Sequence, residues 1–184
     1  AVQQTVWRFA QEHPMVALTL HSTDRQVDLV RDGFDRGIRL GNLADSRLMT
    51  RRIGTFSRRL VATPGYLKQH GSPATPEALK TCAFIVLAML PATIVLQNDG
   101  EQVSFEPDDA RIEVDTVAAA KAAVLASLGI QRLPLSEVQT ELASGDLVEA
   151  LPGWRPPDLG VYAVWPETGA QRKLTARMVD FLAR

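Results

Sequence analysis

The chain has 184 residues, 46% of them apolar and 22% charged, which is long enough to bury a core and fits neither a disordered nor a membrane-spanning composition. Lys and Arg total 20 against 21 Asp and Glu, and the net charge of −1 leaves no cationic footprint for nucleic acid. The one cysteine, Cys82, can neither close an internal disulfide nor build a thiolate zinc site, and its use fits a reducing compartment.

No run approaches the ~18–20 continuous apolar residues of a membrane span. The opening stretch, Ala1 to Ala10, has no basic n-region, no apolar h-region and no initiator Met; it reads as the middle of a helix, so the chain is expected to be a fragment. Val2, Val6 and Phe9 recur at helical spacing, Trp7 extends that face, and Pro14 stops the helix. Val16 to His21 alternates as a strand, and Ser22-Thr23-Asp24 caps a helix whose apolar side is Val27 and Val30, ended by Gly33. Phe34 to Leu40 is another strand, closed by Gly41-Asn42; the strand–helix–strand order predicts a parallel sheet with crossover helices.

A strand near Arg58 to Ala62 follows Arg51-Arg52-Ile53-Gly54. Thr63-Pro64-Gly65 turns into a short helix over Tyr66 to His70, and Thr75-Pro76 opens another toward Leu79. Cys82 to Leu87 has the length and composition of a buried central strand. Asn98-Asp99-Gly100 marks a hairpin between Ile94–Leu96 and Gln102–Phe105. After a strand at Ile112 to Val114, Thr116 caps an alanine-rich helix ending at Leu128-Gly129. Ile130 to Pro134 is a short strand, Ser136 to Ala143 a helix stopped by Gly145, and Leu159 to Trp165 the last strand. Leu174, Met178, Phe181 and Leu182 stripe a C-terminal helix, and the class is α/β.

No catalytic constellation is visible. The three histidines are scattered, no G-x-S-x-G, P-loop or G-x-G-x-x-G occurs, and Cys82 reads as a small buried hydrophobe. Glu106, Asp108 and Asp109 read as a solvated loop, and Arg51-Arg52 and Arg58-Arg59 as solvent-facing positions. The chain is therefore expected not to be an enzyme and to hold no metal or cofactor. What remains is the set of loops at the carboxyl ends of predicted strands, where open α/β sheets bind ligands. These are Ser22-Thr23, Gly41-Asn42, Ala88-Met89 and Asp115-Thr116. Thr116 offers a hydroxyl and free backbone N–H groups at a helix start, which suits an anion and equally an ordinary N-cap.

The run Val27-Asp28-Leu29-Val30-Arg31-Asp32-Gly33-Phe34-Asp35 with Gly37-Ile38-Arg39-Leu40-Gly41 resembles the effector-binding domain of LysR-type transcriptional regulators. Leu60 to Leu67 with His70-Gly71 and Pro73 continues the match, then Gly129-Ile130 and Leu133-Pro134. Gly145 to Val148, Leu151-Pro152, Val161 to Pro166 and Phe181-Leu182 complete it in order, over nearly the whole chain.

The resemblance implies a periplasmic-binding-protein-like fold of two α/β lobes joined by two crossover strands. Lobe one would be residues 1–61 plus 164–184 and lobe two residues 62–163, with crossings near Arg58–Ala62 and Val161–Trp165. A small effector, with an anion as one class that suits it, would bind between the lobes against Ser22, Thr23, Arg39, Asn42, Met89 and Thr116. Arg39 shares a strand face with Asp35 and Gly37, so a structural ion pair is its other reading. DNA would be reached only through an upstream winged helix-turn-helix domain absent from this chain. Homodimers or homotetramers would form head to tail, with Trp7, Gln11, Lys121 and Leu125 at the interface. The protein would be cytoplasmic, with no membrane partner.

Two departures stand out. Relatives begin the domain with a strand upstream of the position of Ala1, so the first strand of the domain is expected to be missing here. Where relatives carry a polar segment and a Trp, this chain has the apolar, proline-broken Ala88-Met89-Leu90-Pro91-Ala92. The alternative reading is a solute-binding protein of a transport system with the same fold.

Overall fold

A computed structural model describes residues 2–23, 27–41, 48–166 and 172–182. In chain order the elements are α1 (Val2–Glu12), β1 (Gly37–Leu40), β2 (Leu48–Phe56), β3 (Arg58–Ala62), α2 (Pro64–His70), α3 (Pro76–Leu79), β4 (Ala83–Leu87) and β5 (Ile94–Asn98). They continue as β6 (Glu101–Phe105), β7 (Asp109–Val114), α4 (Val117–Leu125), β8 (Gln131–Pro134), α5 (Leu135–Ser144), β9 (Val148–Glu149), β10 (Leu159–Pro166) and α6 (Arg172–Leu182). The chain divides into two compact units: Ala1–Phe56 with Leu159–Arg184, and Ser57–Asp158.

In the first unit β10 is the central strand, antiparallel to β1 on one side and β2 on the other. Val161, Ala163 and Val164 are buried along it. Helices α1 and α6 meet through Phe9 and Phe181, whose rings contact edge to face at 5.4 Å, and His13 stacks on Phe9 at 4.2 Å while its Nδ1 lies 3.0 Å from the Phe9 carbonyl. That pairing explains the helical spacing of Val6 and Phe9, which are both buried. Trp7 does not extend the buried face; it is 50% exposed.

Three expectations change in this unit. Val16 to His21 joins no sheet among the described residues. The half-buried Val16 and Leu18 still alternate with exposed Ala17 and Thr19, but a strand also needs a neighbour to accept and donate its ladder bonds. The helix expected after Ser22 begins outside the described residues, and over 27–33 it reduces to a single turn. Asp28 caps that turn, its Oδ1 accepting from the N–H groups of Val30 and Arg31 at 3.1 and 3.2 Å, and Gly33 at φ 73° ends it. The turn buries Leu29 and leaves Val30 70% exposed, reversing the predicted side. Finally, β1 pairs antiparallel with β10, so the predicted parallel crossover is not seen in this unit.

The second unit is built on β3, flanked antiparallel by β8 and β9, while β4 and β7 pair in parallel and a parallel bridge joins Phe84 to Ile130. Successive strand residues serve opposite faces. Leu60, Ala62 and Phe84 enter one core with Tyr66, Leu79, Ile94 and Leu96; Val61 and Ile85 enter the other with Ala120, Val124, Leu133 and Val138. Burial on both faces is why these strands read as unbroken apolar runs.

Local chemistry places the short elements as expected. Thr63 caps α2 by accepting from the Tyr66 N–H at 3.1 Å, and Thr75 caps α3 by accepting from that of Ala78 at 3.4 Å, each followed by proline in the first turn. Asp99 and Gly100, at φ 45° and 89°, make the left-handed turn that joins β5 to β6.

Candidate functional site

Parallel pairing of β4 and β7 brings their carboxyl ends together, with Leu87 opposite Val114. As the chain leaves β4, the Ala88 N–H donates to the Val114 carbonyl at 2.9 Å and the Leu90 N–H to the Leu87 carbonyl at 2.8 Å. This turn presents Met89, which is 48% exposed. Beside it, β7 runs through Asp115 into α4, where Thr116 Oγ1 accepts from the Ala119 N–H at 3.2 Å. Thr116 is thus an N-cap at the start of α4, directly after Asp115. Met89 and Thr116 form one corner of the second unit.

The other predicted contacts belong to the first unit. Ser22 and Thr23 are exposed, and His21 before them sets its ring edge-on to Phe34 at 5.0 Å. Among the described residues Arg39 makes no ion pair. Its guanidinium donates to the Val27 carbonyl at 3.0 Å and so ties the Asp28 turn to β1. Asn42 lies outside the described residues.

Of the predicted interface residues, Trp7 and Gln11 are exposed one turn apart on α1, and Leu125 is 39% exposed on α4. Lys121 is engaged within its own unit: Nζ donates to Glu141 Oε1 and to the Glu137 carbonyl, both at 2.6 Å, locking α4 to α5. That hydrogen bond holds the Glu141 carboxyl below the usual carboxylate range.

Among the described residues no cluster of three His, Cys, Asp or Glu side chains could hold a metal. Cys82 is half-buried with its thiol pushed up by desolvation, the opposite of an activated nucleophile. Glu106 accepts from Thr93 Oγ1 at 3.1 Å, and Asp109 pairs with Arg111 at 2.9 Å.

The sequence reading missed one half-buried and one buried cation. Arg58, expected to face solvent, sends its guanidinium inward to the Pro157 carbonyl at 2.9 Å and buries its Nε without a partner. Arg132 is only 7% exposed and donates to the carbonyls of Thr93 and Pro91. Its place on the short strand between Ile130 and Leu133 is the only signal that marks it. Burial, and then the neighbouring Arg58, bring Arg132 down to about 10.

Known proteins place this arrangement in a family. Residues 2–184 match the LysR substrate binding domain. YhjC, an uncharacterized HTH-type transcriptional regulator of Escherichia coli K12, is 32% identical over 178 residues, which is 95% of this chain and 58% of that protein. PtxR, an HTH-type transcriptional regulator of Pseudomonas aeruginosa, is 32% identical over 160 residues, 86% of this chain and 51% of that one. The chain therefore spans little more than half the length of these relatives, and they are transcriptional regulators rather than transport proteins. In structure the chain is similar to the full-length Vibrio cholerae virulence activator AphB, with TM-score 0.81 and 25% identity over 98% of this chain and 62% of that one. The regulatory domain of CrgA from Neisseria meningitidis shares the fold, with TM-score 0.76 and 24% identity over 99% of this chain and 90% of that one. From Val2 to the last residue, this chain belongs to the LysR substrate-binding domain family.

Proposed function

We propose that this domain senses a small effector on behalf of a LysR-type regulator and passes the signal to a separate winged helix-turn-helix domain on the same polypeptide. The observation that carries the reading is the Met89–Thr116 corner: two loops meeting at the carboxyl ends of parallel strands, one of them opening helix α4. Ser22, Thr23 and Asn42 are further candidates for contact with the effector, and Arg39 ties the Asp28 turn to β1. The mechanism is a shift of population: an effector that favours one arrangement of the units over another moves the equilibrium by that difference in affinity. The reading assigns no catalytic step to the chain and places it in the cytoplasm. No helix among the described residues is long and apolar enough to cross a membrane.

The test is thermal unfolding against a panel of small carboxylates, amino acids and aromatic acids. A ligand at about a hundred times its dissociation constant raises the midpoint by ~5–10 °C. Thr116→Ala lowers the ligand-free midpoint by ~2–4 °C, the ~1 kcal/mol of a lost cap, and abolishes the ligand-dependent rise. A rise that survives in Thr116→Ala excludes the corner as the site.

The exposed Trp7, Gln11 and Leu125 form the surfaces through which copies associate, while Lys121 supports α4 from beneath. Leu125→Glu is expected to reduce the mass measured by light scattering from an oligomer to a monomer. The same mass for both proteins removes α4 from the interface.

A further inference from the structure

A crevice of about 100 Å³ runs along β4 in the second unit, between Phe84 and Leu87 on that strand and Leu90 and Pro91 on the loop that follows. Arg132 enters it from β8, where it stands opposite Leu60 of β3. Its guanidinium binds two carbonyls, which orient the group but carry no net charge to neutralise it. Among the described residues no carboxylate comes within ion-pair distance of either Arg132 or Arg58. The charge that Arg132 does feel is a second cation, Arg58, whose own Nε is buried and unbonded. Buried charges in folded proteins are paired, because an uncompensated one costs several kcal/mol. Asp158 acts on Arg58, so of the two cations it is Arg132, buried and lining the crevice, that has a like charge as its neighbour and no carboxylate within ion-pair distance among the described residues.

We propose that the β4 crevice is a ligand site in its own right, which takes a short-chain monocarboxylate with its carboxylate on Arg132 and its alkyl chain against Phe84, Leu87 and Leu90. A carboxylate supplies both the missing charge and the acceptor geometry that a guanidinium fork matches. The small volume suits a short chain. Glu106 also lines the crevice, with one carboxylate oxygen held by Thr93 Oγ1 at 3.1 Å. Its negative charge discriminates against dianions, so the site prefers a monoanion to a dicarboxylate or a phosphate. The crevice lies within the second unit and uses neither Thr116 nor Met89; it adjoins the effector corner along Leu87 and Leu90.

The probe is sodium butyrate, compared with sodium chloride at equal ionic strength and with succinate, by thermal unfolding and titration calorimetry on the 184-residue chain. Butyrate at about ten times its dissociation constant is expected to raise the midpoint by ~3–6 °C over chloride, with succinate binding at least ~10-fold more weakly. Arg132→Gln should lose the response. Because that variant also frees two carbonyls and can fail to fold, Ala110→Leu provides the second test: Ala110 is an exposed lining residue, and leucine there fills the crevice while Arg132 stays in place. Loss of the butyrate response in a cooperatively melting Ala110→Leu supports the site. A chain that responds equally to butyrate and chloride, or a response retained in Ala110→Leu, overturns it.

Discussion

Gly129→Ala is expected to lower the melting temperature by roughly 2–12 °C, the equivalent of about 1–3 kcal/mol of overpacking. A Cβ at this position would stand 2.6 Å from the Ala83 carbonyl oxygen and 3.1 Å from its carbon. Neither atom can swing away as a side chain would, because that oxygen accepts from the Ile130 N–H at 2.9 Å and the neighbouring Ile85 N–H donates to the Ile130 carbonyl at 3.0 Å. The methyl group must push β4 and the start of β8 apart. Since the turn that follows β4 carries Met89, the variant should also weaken any ligand response at the Met89–Thr116 corner. Circular dichroism melts of the two proteins decide the matter; equal midpoints would mean that the two backbones do not approach as described.

Leu60→Ala should cost more, about 2–5 kcal/mol, through lost burial and the cavity left behind. Leu60 is 1% exposed at the middle of β3, with its side chain in the core of Tyr66, Leu79, Phe84 and Leu96. Its carbonyl accepts from the Ala150 N–H at 2.9 Å, a bond the substitution leaves intact, so the loss reports packing alone. For a chain of this length the loss corresponds to roughly 4–20 °C. Urea unfolding should show a lower midpoint with the same slope, the mark of a stability change without a change in exposed surface. An unchanged midpoint would place Leu60 outside the core of the second unit.

The readable parts of this sequence are those whose structure is decided within a few residues. Thr63, Thr75 and Thr116 are each N-caps because a hydroxyl three residues before an N–H needs nothing from the rest of the chain. Asn98-Asp99-Gly100 is legible for the same reason. The failures all depend on partners distant in sequence. β2 went unseen because Thr50-Arg51-Arg52 lies on an edge strand with solvent on it, where polar residues are tolerated and alternation is lost. Val16 to His21 has the alternation of a strand and no neighbour among the described residues. In the candidate site, Thr116 was visible as a cap, whereas the inward turn of Arg58 depends on Pro157, and the burial of Arg132 on the fold of the loop at Pro91–Thr93.

The order of strands in the first unit sets a timetable for synthesis. β1 and β2 share no ladder with each other; each bonds only to β10, among the described residues. By contrast, every strand of the second unit lies in one unbroken stretch, Ser57–Asp158. A ribosome making ~5–20 residues per second therefore holds β1 and β2 without their central strand for roughly 5–20 s while the whole second unit emerges. During that interval the apolar side chains of Ile38, Leu40 and Met49, which remain part-exposed even in the finished fold, belong to strands with open edges on both sides. Closure of the first unit's sheet thus waits for β10, and translation that stalls before Leu159 leaves β1 and β2 unpaired.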